Sequence, residues 1–290
     1  MKTAFVTGAV MGQGLMLAQK LSKRGWRVFA GVLPGADTSE LAKDPAIIIV
    51  PQDVSNLESV RRSAEIVSQA LGDQGLDLLM NVAGVANVAS GVIEGLSLED
   101  APKVFEINTL GQLRTCQLFL PMLRRAKPPA KIFNYGSGAV LVNPPIAGVY
   151  NMSKHAVHGL TLTLRHELAP FGIQVTSIWP GGVKTNMTAN AHANTLGVWD
   201  AMPQAVAAVY EPYLKEQTTK ALPDMLEKNG STPDYVTDQV LQLIELPKLK
   251  PSYLVGQDVK MLPFLRRWLS DSSFEWIIRK TFKIPTHAAT

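Results

Sequence analysis

Short apolar runs alternate with longer stretches of helical periodicity along this chain. Residues 3–7, 26–33, 47–50, 76–80, 131–137, 173–179 and 252–256 predict strands, most of them apolar enough to be buried on both faces. Between them, apolar side chains recur every three to four positions, as in Val60, Ala64, Val67 and Leu71, which predicts amphipathic helices. This alternation predicts an α/β fold in which helices cover both faces of a doubly wound parallel sheet of about seven strands.

Two helical patterns carry polar residues at informative places. The pattern from 97 to 125 predicts one long helix with Asn108 among its apolar positions. Because an Asn in a helix interior is mildly unfavourable, we expect it to face water, to bond locally, or to bend the helix and bind a buried water. The pattern from about 150 to 170 places Tyr150 and Lys154, four residues apart, on one helix face.

An ammonium beside a phenol favours proton-transfer chemistry. A free phenol has a pKa of about 10, and a cation within roughly 4–6 Å lowers an acid's pKa by about 1–3 units, so we expect Lys154 to lower the pKa of Tyr150. Ser137, at the carboxyl end of an apolar strand, is placed to hydrogen-bond a substrate oxygen held against the phenol. The alternative is a plain surface pair.

Glycines follow the first strand and open a helix. Strand, glycine turn and helix form a phosphate-binding arrangement, because Gly8, Gly12 and Gly14 let the backbone approach a pyrophosphate that the helix N-terminus stabilises. Their spacing differs from the usual dinucleotide fingerprint, so a simple glycine-rich turn is the alternative. After the third strand, Asp53 is expected either to accept from an adenine amino group or to cap the next helix, for which residues 55 and 56 are better placed.

The regular alternation breaks down between residues 186 and 232, where apolar residues stand among short helical signals. Such an insert after a strand suits a lid over an apolar substrate, and a dimer contact is the alternative. Residues 1–260 are predicted to form one domain that contains this lid. Residues 261–290 mix aromatics with cations, and we expect a helical extension packed on the domain or a partner, with a segment lying on a membrane surface as the alternative.

Composition excludes several classes of function. The 290 residues are 46% hydrophobic and 18% charged, and a net charge of +4 without a basic stripe argues against a nucleic-acid partner. The single cysteine, Cys116, excludes an intrachain disulfide, and no Cys/His spacing indicates a metal site. Since no run of eighteen apolar residues and no cleavable leader occur, we expect a soluble, cytoplasmic protein.

Taken together, these motifs resemble the set found in classical short-chain dehydrogenases/reductases. In order along the chain they are Thr7-Gly8-x-x-x-Gly12-x-Gly14, Asp53-Val54, Asn81-x-Ala83-Gly84, Asn108, Ser137, Tyr150-x-x-x-Lys154 and Pro180-Gly181-x-x-x-Thr185. The resemblance reaches from residue 3 to about 185, with Ser137 standing 13 positions before Tyr150. Each motif alone is weak, but their ordered coincidence is specific.

This resemblance implies a Rossmann-like fold and an enzyme that exchanges a hydride between a nicotinamide dinucleotide and a secondary alcohol or ketone. Tyr150 would be the general acid/base, and Ser137 would hold the substrate oxygen. Lys154 would lower the pKa of the phenol and bind the nicotinamide ribose, while Asn108 would anchor a water that relays protons to it. The remaining motif residues would bind the cofactor: Gly8, Gly12 and Gly14 its pyrophosphate, Asp53 and Val54 its adenine, Asn81, Ala83 and Gly84 its neighbourhood, and Pro180, Gly181, Val183 and Thr185 its nicotinamide end.

Two departures from the family pattern narrow this expectation. Val82 replaces the second Asn of the usual Asn-Asn pair. The second strand resembles that of the retinol, 11β- and 17β-hydroxysteroid and membrane-type 3-hydroxybutyrate dehydrogenase branch, and it ends at Leu33 without a basic residue, so NAD(H) is favoured and NADP(H) is the alternative. The branch and the apolar insert suggest a lipophilic, steroid- or retinoid-like substrate. A non-catalytic dinucleotide sensor or scaffold is the alternative function, and the resemblance favours a homodimer or homotetramer.

Overall fold

The computed structural model describes residues 1–86, 88–127, 130–184, 191–259 and 261–285, and the strands within these ranges form one sheet. The strands are β1 (Thr3–Thr7), β2 (Arg27–Val32), β3 (Ile47–Pro51), β4 (Leu78–Asn81), β5 (Lys131–Tyr135), β6 (Gln174–Pro180) and β7 (Ser252–Val255). They lie in the order β3-β2-β1-β4-β5-β6-β7, and neighbouring strands are parallel. The order reverses between β1 and β4, which is where open α/β sheets bind ligands.

Helices cover both faces of this sheet, as the alternation predicted. In chain order they are α1 (Gly12–Lys23), α2 (Ser39–Ala42), α3 (Leu57–Leu71), α4 (Ala101–Phe105), α5 (Gly111–Arg125), α6 (Ala139–Val142), α7 (Gly148–Leu168), α8 (Ala191–Ala201), α9 (Gln204–Tyr210), α10 (Leu222–Asn229), α11 (Pro233–Ile244), α12 (Leu262–Trp268) and α13 (Asp271–Thr281). Across the described residues, no helix combines the length and the apolar character that crossing a membrane requires. The predicted doubly wound α/β fold is confirmed.

Two hydrophobic cores hold the helices against the sheet. On one face, Leu17 of α1 and Val240 of α11 pack with apolar side chains of β1 and β2. On the other face, Val67 of α3, Phe119 of α5 and Leu164 of α7 pack with the opposite side of the same strands. Because burying one such side chain contributes about 1.5–3 kcal/mol, these two cores are the main source of the fold's stability.

The long helix predicted over 97–125 is divided in the structure. The chain becomes helical only at Ala101, then widens into a π turn at Glu106–Leu110 before α5 begins. Pro102 lies in the first turn of α4, a position at which its missing N–H costs nothing, and so explains the later start. Asn108 lies inside the π turn and is fully buried. The helix is therefore irregular at the polar residue for which a bend was one of the expectations.

The bounds of β4, β5 and α7 also differ by two residues from the sequence prediction. β5 ends at Tyr135 rather than Ser137, and α7 covers Gly148–Leu168 rather than 150–170. Pro170 falls in a 3₁₀ turn, because a proline cannot donate the next helical hydrogen bond. Ser137 therefore stands in the loop after β5, and the side chain of Tyr150 leaves the first turn of α7.

The insert between β6 and α11 is helical and has a small core of its own. Trp199 and Met202 are buried there together with Val92, which belongs to the loop after β4. The Trp199 Nε1 donates a hydrogen bond to Thr218 Oγ1 at 3.0 Å. Residues 185–190, at the start of the insert, lie outside the described residues. The rest of the insert packs beside the carboxyl edge of the sheet.

The start of α3 offers a test of how local sequence sets an element. The Asn56 side chain accepts a hydrogen bond from Ser59 N at 2.9 Å, which confirms the expected cap. Asn56→Ala should lower the free energy of unfolding by about 1 kcal/mol in a urea titration. Thr38→Ala is the matched control, because Thr38 precedes α2 without a side-chain cap hydrogen bond. Equal losses in the two variants would contradict the capping role of Asn56.

Candidate active site

A cavity of about 720 Å³ opens beside the carboxyl edge of the sheet, and Tyr150 forms part of its wall. The loops after β4 and before α7 line one side of this cavity, and helices of the insert line the other. Most of the lining is apolar or small, including Leu96, Ile146, Val198, Met202 and Leu222. Tyr150 and Asp100 are the ionisable side chains in the described lining, so Tyr150 is a titratable group facing a largely apolar space.

Ser137 and Tyr150 meet although they come from different elements. The Tyr150 phenol is hydrogen-bonded to the Ser137 side chain. The Ser137 Oγ also accepts from the backbone N–H of Ala139 at 3.1 Å, where α6 begins. This second bond fixes the position of the Ser137 hydroxyl, so two hydroxyl groups converge on one point of the cavity wall.

Lys154 lies one helical turn after Tyr150 on α7, as the four-residue spacing predicted. Its Nζ lies 5.6 Å from the centroid of the Tyr150 ring and donates a hydrogen bond to the backbone O of Tyr135 at 3.0 Å. Only 4% of Lys154 is exposed, and this burial lowers its pKa from 10.5 to about 8. The amine therefore carries its charge at neutral pH and loses it in mildly alkaline solution.

The net shift in the pKa of Tyr150 is opposite to the lowering that we expected from Lys154. Burial raises the pKa of Tyr150, and the hydrogen bond from Ser137 opposes this shift. The Lys154 ammonium does not reverse it, since its hydrogen bond goes to the Tyr135 carbonyl and the surroundings disfavour charge on both side chains. Tyr150 is consequently a protonated phenol at neutral pH.

Asn108 reaches the same region from the π turn. Its Oδ1 accepts from Val85 N at 2.8 Å, and its Nδ2 donates to Val85 O at 2.9 Å and to Ser153 Oγ at 3.1 Å. A Cβ built on Gly84 would lie 3.1 Å from Asn108 Oδ1 and 3.4 Å from Lys154 Nζ. The glycine thus leaves a small space that both polar groups face.

The turn between β1 and α1 has the form of an anion cradle. A Cβ on Gly14 would lie 2.2 Å from Gly8 O, and one on Gly8 would lie 2.9 Å from Ala83 Cα, so close backbone packing requires both glycines. Gly12 instead has a φ of 54° and open space around its Cβ position. Met11, the N-cap of α1, cannot satisfy the first N–H groups with its side chain. Open space before unsatisfied helix N–H groups fits a diphosphate.

Asp53 and Val54 follow β3 at the same edge of the sheet. The Asp53 Oδ1 accepts from Ser55 N at 2.9 Å and from Ser55 Oγ at 2.6 Å, while its own N–H donates to Ser59 Oγ. Val54 is buried against the start of α5, where a Cβ on Gly111 would lie 3.0 Å from it. Asp53 orders the turn before α3, and its contact with adenine stays a prediction.

Asn81 lies inside the fold rather than on its open edge. Its Nδ2 donates to Asn134 Oδ1 at 2.9 Å and to Cys116 Sγ at 3.2 Å, and Asn134 Nδ2 donates to Thr161 Oγ1 at 3.1 Å. This buried network connects β4, β5, α5 and α7. Asn81 therefore positions the end of β4, from which Ala83 and Gly84 continue towards the site.

The last predicted motif follows β6. Pro180 ends the strand, Gly181 follows it, and the buried Val183 forms an isolated parallel bridge with Ser231. These contacts hold the loop beside the carboxyl edge of the sheet. Thr185 lies outside the described residues, so its predicted contact with the nicotinamide stays a prediction.

Three polar residues support the site through contacts that the sequence reasoning did not assign, although Thr7 already stood in the glycine motif. Thr7 Oγ1 accepts from the backbone N–H groups of Val82 and Ala83 and so joins β1 to the end of β4. Gln112 Nε2 donates to Tyr135 O at 3.0 Å, the same carbonyl that Lys154 uses. Ser153 binds Asn108. The signal for Gln112 was available, because it stands one helical turn after Asn108 on the same buried face.

Comparison with known proteins agrees with this geometry. The family model for short chain dehydrogenase matches residues 2–196. Retinol dehydrogenase 7 of Rattus norvegicus is 29% identical over 283 residues, which cover 95% of this chain and 88% of the relative. The 17-beta-hydroxysteroid dehydrogenase type 6 of Rattus norvegicus is 28% identical over 294 residues, which cover 99% and 90%.

Solved structures that resemble this chain contain either nicotinamide dinucleotide. NADPH-bound carbonyl reductase from chicken fatty liver has 31% identity and a TM-score of 0.60 over 64% of this chain and 82% of its own. A short chain dehydrogenase/reductase of Burkholderia phymatum in complex with NAD has 25% identity and a TM-score of 0.69 over 91% and 92%. From its motifs, its fold and these similarities, the chain belongs to the short-chain dehydrogenase family and is an NAD(P)-dependent oxidoreductase of alcohols and ketones.

Proposed function

We propose that this protein interconverts a lipophilic secondary alcohol and its ketone with NAD(H), and that Tyr150 is the general acid/base. The observation that carries the proposal is the convergence of Ser137, Tyr150 and Lys154 at the wall of a largely apolar cavity. A phenol hydrogen-bonded to a fixed hydroxyl, with an ammonium behind its ring, can pass a proton to or from an oxygen bound in that cavity.

Each side chain has a separate task in this proposal. Tyr150 donates its proton to the carbonyl oxygen of a ketone, or takes the proton from the hydroxyl of an alcohol. Ser137 holds that oxygen by a hydrogen bond. A bound nicotinamide dinucleotide supplies or accepts the hydride. Because burial raises the pKa of Tyr150, the phenol is ready to act as an acid at neutral pH, and alcohol oxidation becomes faster as the pH rises.

Lys154 and Asn108 support proton transfer by Tyr150 without contacting the substrate. The charge of Lys154 is expected to stabilise the phenolate that forms when Tyr150 loses its proton, which opposes the rise in pKa that burial causes without reversing it. The space beside Gly84, which Asn108 Oδ1 and Lys154 Nζ both face, suits a water that carries protons between Lys154 and solvent. Asn108 is held in place by both backbone groups of Val85.

The cofactor is expected to lie along the carboxyl edge from β3 to β6. Gly8, Gly12, Gly14 and the first turn of α1 would hold the diphosphate, and the other predicted contacts follow on either side: Asp53 and Val54 at the adenine, Ala83 and Gly84 near the ring, and Pro180, Gly181, Val183 and Thr185 at the nicotinamide end. At the end of β2, the half-exposed Leu33 offers no charge to a 2′-phosphate, which favours NAD(H) over NADP(H).

The shape and lining of the cavity support an apolar substrate. A cavity of about 720 Å³ has room for a ligand of drug-like size, and apolar lining with few polar groups gives little affinity for a small hydrophilic alcohol. The helices of the insert, which pack through Trp199 and Met202, cover this cavity as a lid. The names of the retinol and hydroxysteroid dehydrogenase relatives point to the same class of substrate.

A panel of secondary alcohols and ketones, followed by the absorbance of reduced nicotinamide, tests the overall proposal. Lipophilic cyclic substrates should have a higher kcat/KM than short-chain polar alcohols. Tight cofactor binding without turnover of any member of the panel would favour the alternative of a dinucleotide-binding sensor.

Tyr150→Phe tests the acid/base assignment. Removing the hydroxyl should lower kcat by about 10²–10⁴-fold, while the dissociation constant of NAD, measured by quenching of tryptophan fluorescence, should change little. Tyr253→Phe is the matched control, since it removes a phenolic oxygen on the edge strand β7 whose hydrogen bond comes from Lys250 N. Turnover by Tyr150→Phe at the rate of this control would overturn the assignment.

Leu33→Arg tests the proposed cofactor preference. The wild-type protein should bind NAD more tightly than NADP in direct titrations. The variant should gain affinity for NADP by about tenfold, since a charge-assisted hydrogen bond to phosphate contributes roughly 1.5–3 kcal/mol. Leu33→Gln, which adds length and polarity without charge, should leave the preference unchanged. Tighter binding of NADP by the wild-type protein would contradict the proposal.

The buried amine of Lys154 predicts a pH-dependent stability. Its pKa of about 8 in the folded protein lies below the unfolded value of 10.5, so the unfolded chain binds more protons between these pH values and the free energy of unfolding rises with pH there. Lys154→Met should be more stable than wild type at pH 7 by up to about 3 kcal/mol, at 1.36 kcal/mol per pH unit, and this advantage should vanish near pH 10. Urea titrations across this range would measure it, and a constant difference would contradict burial as the cause.

A further inference from the structure

After β7 the chain forms two short helices, α12 and α13, that contact each other. The Arg266 guanidinium pairs with Asp271 at 2.7 Å and lies 5.2 Å from the centroid of the Phe274 ring. Phe274 and Phe282 are buried, so they anchor α13 from its inner side. Residues 261–285, which we call the C-terminal hairpin, therefore form one unit with a defined inner face.

The outer face of the C-terminal hairpin exposes large apolar side chains. Met261, Phe264, Trp268 and Trp276 are 62%, 58%, 69% and 58% exposed. Phe264 and Trp268 share one face of α12, because they are four residues apart, and their rings lie 6.3 Å from each other, while Met261 is the residue just before the helix. The tryptophans are thus not the residues that hold the hairpin to the rest of the protein.

Cations surround these exposed rings. The Arg267 guanidinium lies 6.0 Å from the centroid of the Trp268 ring, and the Lys280 Nζ lies 4.9 Å from that of Trp276. In sequence, residues 261–285 contain five Arg or Lys and two Asp or Glu. The hairpin is therefore net positive, and two of its cations, Arg267 and Lys280, lie beside the exposed rings.

We infer that the outer face of the C-terminal hairpin docks on a phospholipid surface that contains anionic headgroups. Tryptophan suits such an interface because its body is apolar and its N–H reaches a wet layer, and Arg and Lys beside the rings reach the headgroup phosphates. A second copy of this chain is a poorer occupant, since a two-fold contact would press two net-positive faces together. The docking does not depend on the proposed substrate.

Flotation of the full chain with vesicles tests this inference. Vesicles of phosphatidylcholine with phosphatidylglycerol should bind the protein at low ionic strength, and added salt should weaken the binding. Vesicles of phosphatidylcholine alone should bind it at least about tenfold more weakly. Each cation that loses an anionic headgroup weakens binding by about fivefold, so the loss of two such contacts is enough for this difference. Equal binding to both vesicle types would overturn the inference.

Two double variants separate the aromatic from the cationic part of the surface. Trp268→Ser with Trp276→Ser should lower the partition coefficient by about tenfold or more, through loss of apolar area. Arg267→Gln with Lys280→Gln should lower it by about 25-fold, at about fivefold per residue. Since all four residues are exposed, the thermal unfolding of the variants should match that of wild type.

The matched control removes exposed apolar side chains elsewhere. Phe171 and Ile66 are 52% and 41% exposed, and the Arg124 guanidinium lies 5.7 Å from the Phe171 ring centroid, which repeats the aromatic–cation pair of the hairpin. Ile66→Ser with Phe171→Ser should bind vesicles as the wild type does. Wild-type binding by the hairpin variants would overturn the inference. So would sedimentation equilibrium in which wild type is dimeric and the tryptophan variant monomeric, since the face would then belong to a second copy.

Discussion

The hydrogen bond from the Lys154 amine to the Tyr135 carbonyl is the constraint on which the candidate active site depends. It joins α7 to the carboxyl end of β5, and Gln112 donates to the same carbonyl from α5. Because a side chain so deeply buried has few other partners, its direction is determined, and with it the rotation of α7 about its axis. That rotation turns Tyr150 towards the cavity and its hydroxyl towards Ser137.

The same burial acts against charge on the two residues to which the proposed mechanism gives proton transfer. The protein disfavours charge on both members of the pair, since it lowers the pKa of Lys154 and raises that of Tyr150. Burying the Lys154 amine lowers the free energy of unfolding, because the amine loses its hydration. Groups that destabilise the folded state in this way are common at functional sites. In the proposed mechanism, the phenol releases its proton when a substrate oxygen accepts it and the ammonium of Lys154 stabilises the phenolate. Such a group is suited to reversible proton transfer.

Polar groups that never face the substrate hold this arrangement in place. The chain Asn81, Asn134 and Thr161 crosses the interior between β4, β5 and α7, and the π turn directs Asn108 to the backbone of Val85. Each is a buried group whose hydrogen bonds are largely made within the protein, so a shift of one element would leave others unpaired. These hydrogen bonds therefore fix how β4, β5, α7 and the π turn lie beside the apolar cavity.

Local sequence was enough to determine the strands, most helices, a cap for α3 at residue 55 or 56, and the common face of Tyr150 and Lys154, because these depend on residues within a few positions of one another. The glycine turn could also be predicted from the sequence, because Gly8 and Gly14 lie where close backbone contacts leave no room for a side chain. Only the tertiary structure decided what depends on residues far apart in the chain: the direction in which burial shifts the pKa of Tyr150, the inward turn of Asn81, the shared carbonyl of Tyr135 and the exposure of Trp268. Burial and charge at a site are sums over all its neighbours, and a linear pattern does not contain the neighbours that folding brings together.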